Sequence, residues 1–387
     1  MWDFTVPLES RRPWPTRTLT PFVNRISGLQ PIVAVHASAD GTYFVACQDG
    51  DAPALITAGG KQLGTCAMGE RGFVDVVQCK GHRAPVTCSA PHAVDGGAFY
   101  TAGQDGTARL WQAASYERRS VYAVKHGSGQ LNDTVVVESV LGLSAAMGGG
   151  GALFASGGAD GLVQIWDARA KYRPGGAAAS WRVHGLAYSE AQVGAGAAAK
   201  KSAAMHFAAF DTHVGGMAEV RGGGAPLLAV RVGAELQCLD LRAPLVKGGR
   251  LALPPVADLG GVLDTTPVRA CAPASLYTCT DRAGYHHVVG GHVVQYDAAG
   301  SALSCTSAWR AGHPDEDALC VAVDAATEDV FCGLSSGAVV VNVGSPSASH
   351  FMRWLDTRPV SEAVVRKRTR EEAADDAAEV DGVDALF

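Results

Sequence analysis

A chain of 387 residues with 47% hydrophobic and only 18% charged side chains can bury a large core, which excludes an intrinsically disordered protein. Of the formal net charge of −6, residues 361–387 supply four basic and eight acidic side chains, so the body before them stands near −2. That balance excludes a polyanion binder working by bulk electrostatics, and with it a direct nucleic-acid reader. No window of about twenty uninterrupted apolar residues offers a membrane span, and the first residues lack a basic stretch followed by an apolar one. A soluble, intracellular protein is expected. The 47 glycines and 18 prolines suit many short strands joined by tight turns. The ten cysteines lie in apolar runs with no C-x-x-C pair, and read as small buried hydrophobes in a reducing compartment.

Taken in chain order, the elements repeat. A first unit runs from Pro31-Ile32-Val33-Ala34-Val35 through the turn Asp40-Gly41 and the strand Tyr43–Cys47 to Ala54-Leu55-Ile56. The second opens at Gly81-His82, continues with Pro85-Val86-Thr87-Cys88 and closes at Trp111. A third spans Thr134 to Trp166-Asp167, and a fourth Met205-His206-Phe207-Ala208 to Leu239-Asp240. The fifth covers roughly Val268 to Asp297, and the sixth Gly312 to Val343. Glycine- and alanine-rich interruptions at 148–151, 174–179, 194–201 and 222–224 read as mobile loop insertions.

The second and third units repeat one another at matched spacing, at Gly103-Gln104-Asp105-Gly106-Thr107-Ala108-Arg109-Leu110-Trp111 and Gly158-Ala159-Asp160-Gly161-Leu162-Val163-Gln164-Ile165-Trp166. Each is a strand end, an Asp-Gly hairpin turn and a second strand ending in Trp. Alternation sends Ala108 and Leu110 to one face, Arg109 and Trp111 to the other. Repeated four-stranded units of about forty residues predict an all-β propeller.

In the second unit, His82, Thr101, Asp105 and Trp111 are expected to form a buried polar chain, with indole donating to hydroxyl, hydroxyl to imidazole and imidazole to carboxylate. Asp160 holds the corresponding place in the third unit. Because the position repeats, the role is structural and no catalytic pair is assigned. Other patterns yield no chemistry. Gly333-Leu334-Ser335-Ser336-Gly337 has the G-x-S-x-G form, but a strand follows it where a nucleophile elbow needs a helix. Gly194–Ala199 lacks the feeding strand of a dinucleotide loop, and Lys200-Lys201-Ser202 lacks the glycine of a phosphate loop. His286 and His287 point to opposite faces of a strand, so only one could join His292 at a metal. No catalytic residue, cofactor, metal or small-molecule substrate is expected, and the protein is read as a non-enzyme.

Gly81-His82, the Asp105–Trp111 segment and Trp166-Asp167 resemble WD repeats, over about residues 30–343. Read from Leu29-Gln30-Pro31-Ile32 through Lys80-Gly81-His82-Arg83-Ala84 to the strand pair ending at Trp111, the chain is similar to the gastrulation-defective family of WD repeat-containing protein 70. In that family a blade ends in Phe-Trp-Asp-Phe, and here Trp2-Asp3-Phe4 follows the first methionine. The resemblance implies a seven-bladed WD40 propeller whose first blade is truncated, with an upstream start. Residues 1–28 are then a remnant of that blade or a lead-in strand, 29–358 the propeller and 359–387 a disordered charged tail. Failing an upstream start, residues 344–358 with Phe351-Met352-Arg353-Trp354-Leu355 complete the ring.

Trp166-Asp167-Ala168-Arg169 fits Trp-Asp-x-Arg, and Asp240-Leu241-Arg242 repeats its tail one unit later. These resemble the docking box of substrate receptors of cullin-RING ubiquitin ligases, in which the arginine meets acidic or carbonyl groups of the adaptor. Otherwise Arg169 and Arg242 pair with neighbouring acids. The family implies a nuclear protein-binding scaffold tied to ligase recruitment, chromatin and DNA damage; the alternatives are an accessory scaffold of a ribonucleoprotein or splicing complex, a cytoplasmic location, or a propeller hydrolase. Arg366, Lys367, Arg368 and Arg370, ahead of an acidic run, read as an import signal.

Overall fold

The computed structural model describes residues 22, 31–70, 72–73, 75–128, 134–183, 213–220, 226–232, 235–241, 250–252, 265–271, 275–280, 292–299, 302–310, 318–323, 330–334 and 339–342. Within them six antiparallel meanders follow one another. The first comprises β1 (Ile32–Ala37), β2 (Tyr43–Gln48), β3 (Ala54–Thr57) and β4 (Gln62–Thr65). The second comprises β5 (Val86–Pro91), β6 (Ala98–Gly103), β7 (Thr107–Gln112) and β8 (Tyr122–Lys125). The third comprises β9 (Val137–Gly142), β10 (Leu153–Gly158), β11 (Leu162–Asp167) and β12 (Ala179–Arg182). The fourth is β13 (Gly216–Val220), β14 (Leu227–Val232), β15 (Glu235–Asp240) and β16 (Arg250–Ala252). The fifth is β17 (Thr265–Cys271), β18 (Ser275–Thr280), β19 (His292–Ala299) and β20 (Ala302–Arg310). The last is β21 (Ala318–Val323), β22 (Val330–Leu334) and β23 (Val339–Asn342).

The first strand of every sheet touches the first strand of the next, from β1 through β5, β9, β13 and β17 to β21. Sheets stacked this way share cores on both faces, which is the propeller arrangement. Trp111, Phe99 and Tyr43 lie in the core between the first two sheets. Ala108 and Leu110 turn the other way, into a core with Phe154 and Trp166 of the third sheet. A third core, with Ile165, Val230 and Leu239, joins the third and fourth. The alternation read from β7 therefore assigns its two faces as expected.

The inner strands are also tied by side-chain hydrogen bonds. His36 on β1 meets Ser89 on β5 at 2.9 Å, Thr87 on β5 donates to the Val137 carbonyl of β9, and Ser139 on β9 donates to the Val214 carbonyl at 2.8 Å. The turns obey their glycines: φ is +75° at Gly106 and +74° at Gly161, a region that a Cβ disfavours.

Some expectations need revision. The fourth sheet starts at Gly216 among the described residues, whereas Met205–Ala208 lies outside them. The interruption at 174–179 is not all loop: Ala177 packs against a core and Ala179 begins β12, paired with Ile165. Outer strands β4, β8 and β12 escape a sequence reading because they are only four residues long, and β4 and β12 are also partly exposed. Trp2-Asp3-Phe4, on which the seventh blade rests, lies outside the described residues, as do 344–358.

Candidate interaction site

The polar chain of the second sheet starts from a close backbone approach. A Cβ on Gly81 would stand 1.7 Å from the Ala67 carbonyl oxygen, so only glycine lets the chain pass and deliver His82 beneath the sheet edge. There the Trp111 indole donates to Thr101 Oγ1 at 2.8 Å, Thr101 bonds His82 Nε2 at 2.7 Å, and His82 Nδ1 faces Asp105 Oδ1 at 3.1 Å. Asp105 also accepts the Arg83 amide at 3.0 Å, and the Thr107 amide and hydroxyl at 3.0 and 2.7 Å. Burial by itself would raise the Asp105 carboxyl. His82, Arg109 and Thr107 outweigh it and hold the group well below the usual carboxylate range.

Sequence reasoning missed Arg109. It is fully buried, with Nε donating to Thr107 Oγ1 at 3.1 Å and Nη1 to the Cys79 carbonyl and Ser120 Oγ at 2.9 and 3.0 Å. Cys79 and Ser120 come from the preceding connection and the following loop, at no fixed spacing that could have signalled them.

A second chain of the same kind crosses the third sheet. The Trp166 indole donates to Ser156 Oγ at 2.8 Å, Ser156 bonds His126 Nδ1 at 2.8 Å, and His126 Nε2 faces Asp160 Oδ1 at 3.4 Å. The imidazole is used in the opposite sense from His82. Burial would raise the Asp160 carboxyl, but bonds from His126 and the Leu162 amide bring it down. His126 and Ser156 were not anticipated, although a signal existed: Ser156 precedes Asp160 by four residues and Trp166 by ten, as Thr101 precedes Asp105 and Trp111. Ser156→Ala should cost about 1–3 kcal/mol, because it removes the acceptor of the Trp166 indole and the donor to His126 Nδ1, leaving two buried groups unpaired. Urea titration measures it, and an unchanged midpoint would deny the bridge.

Where β11 ends, the chain reaches the rim. Asp167 Oδ1 accepts the amide and Nε of Arg169 at 3.0 and 2.9 Å, and Oδ2 accepts Nη2 at 2.7 Å. Those bonds hold the Asp167 carboxyl below its ordinary value. The Arg169 side chain nevertheless remains 63% exposed, and Nη1 takes no part in the chelate. So the motif's own acid orients its arginine, which stays outward at the rim. The same backbone register recurs one sheet on. Ala168 bonds the Ala152 carbonyl and Leu241 the Pro226 carbonyl, each at 3.0 Å, with Asp167 opposite Leu153 and Asp240 opposite Leu227. Asp240 thus holds the equivalent rim position. Arg242 and the basic cluster Arg366, Lys367, Arg368 and Arg370 lie outside the described residues.

A recess of about 330 Å³ runs along the inner strands β5, β9 and β13. Two carboxylates line it, and both are engaged: Glu138 with His213, Glu219 with the Ser144 amide. Among the described residues no cluster of three or more His, Cys, Asp or Glu could hold a metal, and no helix is long and apolar enough to cross a membrane. Gly333 pairs with Val339 across β22 and β23, so the G-x-S-x-G stretch joins two antiparallel strands. His286, His287 and residues 194–202 lie outside the described residues, and for His292 only its place in β19 is described.

Residues 74–112 and 138–167 match the family model "WD domain, G-beta repeat". The two units are therefore similar to WD40 repeats. The first buried Trp-hydroxyl-His-Asp chain lies within the first matched stretch, and Ser156, Asp160 and Trp166 of the second lie within the other. The chain is also 26% identical over 168 residues to the Gastrulation defective protein 1 homolog of Drosophila melanogaster, a match covering 43% of this chain and 24% of that protein's length. A chain in the crystal structure of the mitotic checkpoint complex superposes with a TM-score of 0.51 at 14% identity, covering 80% of this chain and 73% of the other. At that identity the likeness shows the fold alone. The likeness agrees with the stacked meanders in giving an all-β propeller.

Proposed function

We propose that this WD40 chain is a nuclear scaffold serving as substrate receptor of a cullin-RING ubiquitin ligase linked to chromatin and the DNA-damage response, docking its adaptor through Trp166, Asp167, Arg169, Asp240 and Arg242. The observation that carries this reading is the Asp167–Arg169 chelate: it presets an exposed guanidinium at the rim while Trp166 beneath is fixed in the core. A pre-oriented fork loses little side-chain freedom on meeting a carboxylate or carbonyl, which suits it to recognition. Likeness to the Drosophila relative supports the family side of the reading.

Arg169→Glu tests it. Exposed ion pairs contribute little to stability, so the melting temperature should not change, whereas recovery of the cullin adaptor in pull-downs should fall at least several-fold. Unchanged recovery would count against the docking role.

A further inference from the structure

The loop that carries Arg169 does not turn straight back to its own sheet. The Asp167 carbonyl accepts the Tyr122 hydroxyl at 3.3 Å, the Tyr172 hydroxyl reaches the Lys125 backbone, and Gly175 lies where a Cβ would stand 3.3 Å from the Ser128 carbonyl oxygen. Residues 167–175 therefore climb beside β8 and its continuation, along the outer edge of the second sheet. Tyr172 pins the loop from inside: it packs on the core between the second and third sheets and leans on Trp166 with ring centroids 6.2 Å apart. With Tyr172 turned inward, Lys171 and Arg173 on either side of it are exposed, as Arg169 is. Among the described residues neither Lys171 nor Arg173 forms an ion pair, and the loop's one carboxylate, Asp167, is taken by Arg169.

We propose that this flank, Arg169 with Lys171 and Arg173, binds an extended acidic segment of a partner protein. The proposal rests on the docking role of Arg169 and names the chemistry that role meets; Lys171 and Arg173, which lie outside it, allow a separate test. Every second side chain of an extended segment falls on one side, about 7 Å apart, a repeat that suits cations placed at alternate positions. The three positive charges stand within residues 169–173 of a protein whose net charge is −6, so the local field opposes the overall one and steers a carboxylate-rich partner to this flank. The Asp167 chelate and the seated Tyr172 already hold the loop, and little of its freedom is left to lose on binding. A nucleic acid fits less well, because its bases need exposed aromatic faces and Trp166 and Tyr172 turn theirs into the core.

Fluorescence anisotropy of the full chain tests this with a labelled peptide of alternating Glu and Ser, beside the same peptide with Gln for Glu and a single-stranded oligouridine of equal charge. At about 50 mM salt the Glu peptide should bind and the Gln peptide should not, and raising the salt to about 0.3 M should weaken binding several-fold. Lys171→Glu combined with Arg173→Glu should lower affinity for the Glu peptide by about tenfold or more, whereas Lys61→Glu, at an exposed cation of the first sheet, should change it less than about twofold. No binding by the parent, an unchanged affinity in the double variant, or an equal loss with Lys61→Glu would overturn the proposal. So would tighter binding of the oligouridine that the same double variant abolishes, which would make a nucleic acid the occupant. Adaptor pull-downs keep the two readings apart: if Arg169→Glu loses the adaptor while the double variant retains both adaptor and peptide, the docking role stands and the acidic segment falls.

Discussion

Asp105→Ala is expected to lower the free energy of unfolding by about 3–5 kcal/mol, the range for removing one partner of a buried charged network. From the sequence His82 alone is its partner, which sets a cost of about 1–3 kcal/mol. The structure enlarges that set. The carboxylate also receives the Arg83 amide, the Thr107 amide and the Thr107 hydroxyl, and its charge sits beside the fully buried Arg109. Without it, several desolvated donors lose their acceptor at once. A guanidinium chloride titration of parent and variant at neutral pH gives the difference, and a loss below about 1 kcal/mol would show that the network relaxes to water.

The same group predicts an acid limb. The folded carboxyl lies below its unfolded value of about 3.9, so its contribution is present above that pH and is lost as pH falls toward the folded value. Between neutral pH and about pH 3 the parent should therefore lose more stability than Asp105→Asn, which has nothing to titrate at that position. Parallel curves for the two proteins would assign the acid limb to other carboxylates.

Trp166→Ala is expected to cost a further separate amount, about 3–5 kcal/mol, through the cavity it leaves. The indole is 2% exposed, packs with Phe154 and Val140 between the second and third sheets, and leans on Tyr172 with ring centroids 6.2 Å apart. Its loss also frees Ser156 Oγ, which holds His126 in line with Asp160. Trp166→Phe separates the two effects: it keeps most of the packing and removes only the N–H, for about 1 kcal/mol. Chemical denaturation of the three proteins orders them parent, Phe, Ala. Equal stabilities for the Phe and Ala variants would mean that the hydrogen bond, not the ring, is what the site requires.

How legible the fold was differs from element to element. Gly106 and Gly161 mark their turns because a two-residue hairpin needs positive φ, and Trp111 and Trp166 mark strand ends because their alternation is intact. The four-residue outer strands carry too few alternating positions to stand out. For the candidate site, Asp167 and Arg169 are two residues apart, so a local motif reports them. His126 contacts Ser156 from thirty residues away and Arg109 contacts Cys79 at the same separation, and no local pattern encodes such distances.

What the sequence determined by itself is the repeat: turn glycines, period-2 alternation and the spacing of hydroxyl, acid and Trp act over a few bonds, where backbone sterics decide the outcome. Only the tertiary structure decided which polar groups meet in the cores and that Arg169 is aimed by its own Asp167. Those results depend on how neighbouring sheets stack, and packing between residues far apart in the chain is settled by shape and desolvation rather than by local order.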